Sequence, residues 1–326
     1  MTRETNNNKV LLLDTNHPAL EQGLKDAGFH CDYFFDLTLE QLKRIIGEYS
    51  GIIVRSRFHL DKELLSLAGN LAFVGRVGAG MEGIDIEYAS MKGITCFNAP
   101  EGNRNAVGEH ALGMLLVLMN RLFIADAEVR NGIWKREENR GIELEGKTVG
   151  IIGYGNTGGA FAKKLSGFDC EVLAYDKYRS GFSDEYVCES DMDRIFSEAD
   201  ILSLHIPLTE ETRYLVDRQY LDKFAKGIIL VNTSRGKCVN TDDLVTALET
   251  GKVKGAALDV LEYESMSFES LQADELPAPY KKLIASDQVI LSPHIAGWTH
   301  ESKLKLAHTI LSKILEHFRP PKHIET

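Results

Sequence analysis

T-V-G-I-I-G-Y-G-N-T-G, Thr148 to Gly158, followed by E-V-L-A-Y-D ending at Asp176, is the stretch that decides the fold of this chain. An apolar run that reads as a buried strand leads into Gly153-x-Gly155-x-x-Gly158, then a helical stretch, then a second strand whose last residue is acidic. That order is the pattern of a dinucleotide-binding βαβ unit. Gly153 permits the tight turn, Gly155 lets the backbone approach a pyrophosphate, Gly158 lets helix and strand pack closely, and the N-terminus of the following helix offers unpaired N–H groups to the anion. A lone glycine triad would also fit a turn without a ligand. Here the strand before it, the helix after it and the acid 18 residues past the last glycine all agree.

Asp176 selects between nucleotides. A carboxylate at the end of the second strand accepts hydrogen bonds from the adenosine ribose and repels a 2′-phosphate, so NAD is expected over NADP. Lys177 and Arg179 follow at once and could partner that phosphate, but beside Asp176 they read as a solvated basic loop.

Working outward, the same rhythm fills the chain. Short apolar runs at Val10, His30, Gly51, Phe73 and Ile94 alternate with amphipathic stretches, and a second series runs from Thr148 through I-L-S-L-H-I-P, G-I-I-L-V-N-T-S, G-A-A-L-D-V and V-I-L-S-P-H. Strand, helix, strand in that order means a parallel sheet covered on both faces, so an α/β fold with two doubly wound parallel-sheet domains is expected. At 326 residues the chain suits two cores. The expected division is a substrate domain over 1–98 plus 297–326 and a nucleotide domain over 99–296 inserted in it. Asn103 to Arg130 reads as one long crossover helix, and the final helix, His300 to Phe318, is expected to return to the first sheet.

Composition excludes several classes. Apolar content of 44% and charged content of 26% are ordinary for a globular protein. A net charge of −11 argues against nucleic acid or an anionic membrane as partner, and an anionic substrate then needs a local basic cluster. The opening M-T-R-E-T-N-N-N lacks the apolar core of a secretory signal, and the longest apolar run, Ala111 to Met119, is about half a membrane span, so a cytoplasmic protein is expected. Five scattered cysteines without a C-x-x-C pair point to neither a disulfide framework nor a metal site.

With these residues in view, the chain resembles the D-isomer-specific 2-hydroxyacid dehydrogenases, and within them the phosphoglycerate dehydrogenases in the short form without a regulatory domain after the last helix. The resemblance runs from about Val10 to Phe318. It implies a flavodoxin-like substrate domain, a Rossmann-type NAD domain and a homodimer or higher homo-oligomer. The catalytic residues it implies are Arg235 in T-S-R-G, Glu264 five residues past the aspartate of A-L-D-V, and His294 in S-P-H-I-A-G. It further implies nucleotide contacts at Asn156 and Thr157 beside the pyrophosphate, and at His205, Pro207, Thr212, Thr233, Ser234, Asp259 and Gly297.

Elementary chemistry supports that triad independently. Oxidising a 2-hydroxy acid removes a proton from the C2 hydroxyl and a hydride from C2, so a base must sit at the oxygen while nicotinamide sits at the carbon. His294 suits the proton, a carboxylate on its other nitrogen would fix the tautomer, and Arg235 can bind the carboxylate and polarise the C2 oxygen. The family pattern places proline after the glutamate. Here Ser265 follows, and Glu262 stands two residues earlier, so both acids remain candidates for the pairing.

The first domain carries the substrate residues. R-V-G-A-G-M-E-G-I-D, Arg76 to Asp85, resembles the family loop whose backbone N–H groups, near Val77 and Gly78, hold the substrate carboxylate. R-S-R-F-H-L, from Arg55 through Ser56 and Arg57 to Leu60, offers two arginines able to clamp a dianion, the local positive site that the net charge demands, or else a solvated turn. Asn103, after N-A-P-E-G, resembles a residue near substrate. The expected reaction is 3-phosphoglycerate to 3-phosphohydroxypyruvate. The alternatives are a glyoxylate, hydroxypyruvate or other 2-ketoacid reductase, and a nicotinamide-sensing corepressor of the same fold. The acidic stretch 265–288 is expected to be a lid or an interface arm.

Overall fold

A computed structural model describes residues 3–34, 36–264 and 276–320. The first part of the expected lid, residues 265–275, lies outside the described residues, and the remainder includes a helix, Ala278–Ile284. Two compact units emerge. One holds the described residues up to Asn103 and from Trp298 onward, the other those between Arg104 and Gly297. The first crossing therefore falls inside the helix Pro100–Met119 rather than at the Asn98 turn.

In the first unit, after a short β1 (Arg3–Glu4), five strands form a parallel sheet: β2 (Lys9–Leu12), β3 (His30–Tyr33), β4 (Gly51–Val54), β5 (Phe73–Arg76) and β6 (Thr95–Phe97). Their order, β3-β2-β4-β5-β6, reverses direction between β2 and β4. The reversal opens a crevice at the carboxyl ends of those two strands, where Asp14 and Arg55 follow. Apolar side chains pack both faces, one of them closed by Ala307, Ile310 and Ile314 of the helix His300–His317. The final helix thus covers the first sheet.

The second unit contains β7 (Thr148–Ile152), β8 (Glu171–Tyr175), β9 (Cys188–Glu189), β10 (Ile201–Leu204), β11 (Ile228–Asn232), β12 (Val253–Leu258) and β13 (Val289–Leu291) in one parallel sheet ordered β13-β12-β11-β10-β7-β8-β9. Every residue of β7, β10 and β11 is buried, which is why these strands read as apolar runs interrupted only by Thr148, Ser203 and Asn232. The reversal lies between β7 and β10, so Gly153 and His205 face the crevice of this sheet. The last strand, β14 (Phe318–Arg319), pairs with β1 in the first unit.

One expectation fails in the crossover. Asn103 to Arg130 is not a single helix: the first segment ends at Met119, Arg121 takes a left-handed backbone at φ 53°, and a second helix runs from Leu122 to Arg130. Among the described residues, no helix is long and apolar enough to cross a membrane, and no cluster of three His, Cys, Asp or Glu side chains could hold a metal.

Candidate active site

The three glycines after β7 are small for different reasons. Gly153 has φ 92°, and an added Cβ would stand 2.5 Å from the carbonyl oxygen of His205. At Gly158 it would stand 2.1 Å from the carbonyl oxygen of Gly153, so only glycine lets the Asn156–Leu165 helix approach its strand. At Gly155, which is exposed, it would meet nothing within 4 Å. No protein neighbour requires that glycine, and the open space lies at a helix start whose first turn has no acidic residue and no side-chain cap. Asn156 and Thr157 occupy that first turn. The arrangement fits a pyrophosphate.

Asp176, just past β8, accepts from Tyr154 N–H through Oδ2 and from Tyr178 N–H through Oδ1, each at 2.9 Å. The acid is thereby tied to the glycine turn itself. The two cations after it are both engaged: Arg179 donates to the Tyr154 carbonyl, and Lys177 pairs with Glu211 at 2.7 Å. Past β10, His205 is buried against the Phe161 ring and bonded to Ser203 Oγ at 2.9 Å, and burial pushes its imidazole down to about 3. The Thr212 hydroxyl donates to the Pro207 carbonyl at 2.6 Å and so staples the loop between them.

Arg235 follows β11 on a turn that is wound by Asn232. The Asn232 side-chain oxygen accepts from Ser234 N–H (3.0 Å) and Ser234 Oγ (2.8 Å), and its amide donates to the Arg235 carbonyl at 3.0 Å. An asparagine at a strand end bonding two residues on is a turn signal legible in the sequence. Arg235 in turn donates to the Ser234 carbonyl at 2.7 Å. Thr233 Oγ1 is buried with no hydrogen-bond partner among the described residues. Gly236, directly after Arg235, meets the following strand's loop: an added Cβ would stand 2.0 Å from the Leu261 carbonyl.

The choice between the two acids is decided by geometry. Glu262 is held away from the histidine, accepting from Tyr214 OH at 2.7 Å and from Thr241 N–H at 3.1 Å. Glu264 Oε2 lies 2.7 Å from His294 Nδ1, while its other oxygen accepts from Leu261 N–H. Both side chains are mostly buried. The pairing fixes the ring's orientation through Nδ1.

His294 itself has φ 55°, a left-handed backbone that costs a non-glycine residue about 1–3 kcal/mol and needs surrounding bonds to hold it. Asp259 supplies them. Its carbonyl accepts from His294 N–H (2.8 Å), and its carboxylate accepts from Ile295 N–H (2.8 Å) and Ala296 N–H (2.9 Å), so three successive amides wind around one residue. Ser292 Oγ adds a fourth bond at 2.6 Å. Burial alone would raise the Asp259 carboxyl, but donors from His110, Ser292, Ala296 and Ile295 outweigh it and hold the group below the usual carboxylate range. At 1% exposure, Asp259 acts chiefly by fixing the histidine loop, whose turn ends with Gly297. His110 Nε2 lies 3.0 Å from Ser292 Oγ and 3.4 Å from Asp259. Nothing in the sequence marks His110 beyond its place in an apolar helix.

The first unit corrects two expectations. Val77 N–H donates to the Val54 carbonyl and Gly78 N–H to the Arg76 carbonyl, both at 2.9 Å, so neither amide is left to hold a carboxylate. The Arg76 guanidinium instead lies over Gly78, with Nη1 1.4 Å from where a Cβ would be. The expected arginine clamp also does not form. Arg57 donates to the carbonyls of Phe34 (3.3 Å) and Leu37 (2.8 Å), with Leu13 at 3.5 Å, and so ties together loops at the sheet edge. Arg55 lies 4.2 Å over the Trp298 ring, and its N–H donates to Asp14. Ser56 lies between them in the same bend. Asn103 Oδ1 is buried without a hydrogen-bond partner among the described residues.

Residues 112–296 match the family model described as D-isomer specific 2-hydroxyacid dehydrogenase, NAD binding domain. The chain is 34% identical over 309 residues to a D-3-phosphoglycerate dehydrogenase of Archaeoglobus fulgidus, covering 94% of this chain but 56% of that protein's length. It is 34% identical over 282 residues to a hydroxypyruvate reductase of Thermotoga maritima, covering 86% of this chain and 88% of the other. Among solved structures, a D-lactate dehydrogenase of Aquifex aeolicus complexed with NAD and lactic acid superposes with a TM-score of 0.82 at 27% identity, covering 94% of each chain.

Proposed function

The chain belongs to the D-isomer specific 2-hydroxyacid dehydrogenase family and carries its NAD binding domain, and from that premise we propose that it transfers a hydride between C2 of a D-2-hydroxy acid and nicotinamide. The observation that carries this reading is the 2.7 Å contact of Glu264 with His294 Nδ1, on a loop held in a strained backbone by Asp259. When bound, NAD supplies the hydride acceptor. In oxidation, His294 takes the C2 hydroxyl proton at Nε2. In reduction it returns that proton to the C2 oxygen, and Glu264 offsets the positive charge of the ring while it holds the proton. Arg235, permanently charged, binds the substrate carboxylate and draws electron density onto the C2 oxygen.

For the substrate, we propose 3-phosphohydroxypyruvate and its reduced form. Supporting this are the relatives named D-3-phosphoglycerate dehydrogenase and the cationic Arg55 at the reversal point of the first sheet. A second reading, reduction of hydroxypyruvate or glyoxylate, is favoured by the engagement of Arg57 with loop carbonyls.

Assay of a 2-ketoacid panel with NADH separates them. Under the first reading, 3-phosphohydroxypyruvate is the best substrate, and Arg55→Ala lowers its kcat/KM about 10- to 100-fold through loss of a charge-assisted bond while glyoxylate is less affected. Arg57→Ala is expected to lower turnover of both substrates equally, together with Tm. Superior turnover of hydroxypyruvate would favour the second reading. NADH binding without turnover on any 2-ketoacid would point to a nicotinamide-sensing scaffold.

A further inference from the structure

We propose that Glu211 is a cofactor-specificity residue: it occupies the basic loop that follows Asp176 and so rejects the 2′-phosphate of NADP. This rests on the reading of the second unit as an NAD site. Asp176 is fixed to the glycine turn through Tyr154 N–H at 2.9 Å, which puts the adenosine ribose edge at the end of β8, beside Lys177 and Tyr178. A lysine directly after such an acid is the group that a 2′-phosphate would recruit. Glu211 reaches it from the loop after β10. One carboxylate oxygen lies 2.7 Å from Lys177 Nζ and the other accepts from Tyr178 OH at 2.7 Å, so both donors that could meet a phosphate there are directed to a protein carboxylate.

The loop presents that carboxylate in a set position. Thr212 Oγ1 accepts from Thr209 N–H (2.8 Å) and donates to the Pro207 carbonyl (2.6 Å), while Arg213 N–H donates to the Thr209 carbonyl at 2.9 Å. Arg179, the remaining cation, donates to the Tyr154 carbonyl. A dianionic phosphate entering this edge would meet Asp176 and Glu211 together, with the local lysine already neutralised. Rejection by an added like charge, rather than by a missing contact, is a common device for separating near-identical ligands. The Glu211 hydrogen bond raises the Lys177 ammonium above its ordinary range. A lysine is a full cation near neutral pH without that bond as well, so its release exposes a positive charge.

The test is direct binding of NADH and NADPH to the intact chain by fluorescence titration at low salt, which needs no substrate. In Glu211→Gln the NADPH/NADH affinity ratio should rise about fivefold, the size of one partly screened charge contact, and 1 M salt should remove most of the gain. The double variant Lys177→Ala with Glu211→Gln should return the ratio toward the parent value. An unchanged ratio in Glu211→Gln, or a gain that persists without Lys177, would overturn the proposal while leaving the NAD reading intact. Failure of the parent protein to bind NADH would overturn that reading and this inference with it.

Discussion

Replacing Gly236 by alanine tests whether Arg235 and the carboxylate paired with His294 are set at a fixed separation. The added methyl would stand 2.0 Å from the carbonyl carbon and oxygen of Leu261 and 2.6 Å from Glu262 N, where ordinary contact begins at 3.4 Å. All three atoms are backbone, so no side chain can swing aside. Either the Arg235 turn or the Leu261–Glu264 segment must move by more than an ångström. A misplacement of about 1 Å in a catalytic constellation costs about 100-fold in rate, or about 2.7 kcal/mol at the transition state. The overpacking itself costs about 1–3 kcal/mol, a fall in Tm of roughly 2–12 °C. Steady-state reduction of a 2-ketoacid should therefore show kcat/KM down by about two orders of magnitude. NADH affinity should stay within about threefold, because the Gly153–Gly158 turn is untouched. A variant with kcat/KM and Tm both near the parent's would refute the idea that this contact sets the geometry.

Two further outcomes are expected. Glu264→Gln should lower kcat by about 10²–10⁴ with little change in NADH binding, whereas Glu262→Gln should lower Tm more than turnover; the reverse pattern in steady-state assays would reassign the carboxylate. His205 is held down to about 3 by burial against about 6.5 in an unfolded chain, so its contribution to stability is complete above pH 6.5 and is lost as pH falls toward 3. About 2 kcal/mol should be gone by pH 5, and His205→Gln should flatten that part of a urea-denaturation series; an unaltered slope would show that another group is responsible.

The order of strands and helices and the glycine turn were readable because each depends on local pattern: a buried parallel strand is an apolar run, and a phosphate turn needs glycine at set spacing. Glu264 and Glu262 could not be separated in sequence, since alternation puts both on one side. Only the fold brings Tyr214 to Glu262. Arg57 misled for the same reason. Its partners are carbonyls of Leu13, Phe34 and Leu37, and a main-chain acceptor leaves no trace in the identity of the residue that carries it. The amides of Val77 and Gly78 were claimed by Val54 and Arg76, again backbone to backbone. The helix break at Arg121 is a left-handed residue without glycine, so no breaker announces it. His110 acts through Ser292, far along the chain, a juxtaposition that tertiary structure alone creates.

The way the first sheet is closed has a consequence for synthesis. Its core needs Ala307, Ile310 and Ile314 beside Val10, Leu12 and Phe73, and β1 finds its partner only at Phe318. Every strand of the second sheet has been made by Leu291. As the chain leaves the ribosome, the inserted unit can complete itself while the earlier-made strands β2 to β6 still lack the helix that seals one face. The part translated first is thus the part that finishes last, and during that wait its apolar face is the surface most in need of protection from other chains.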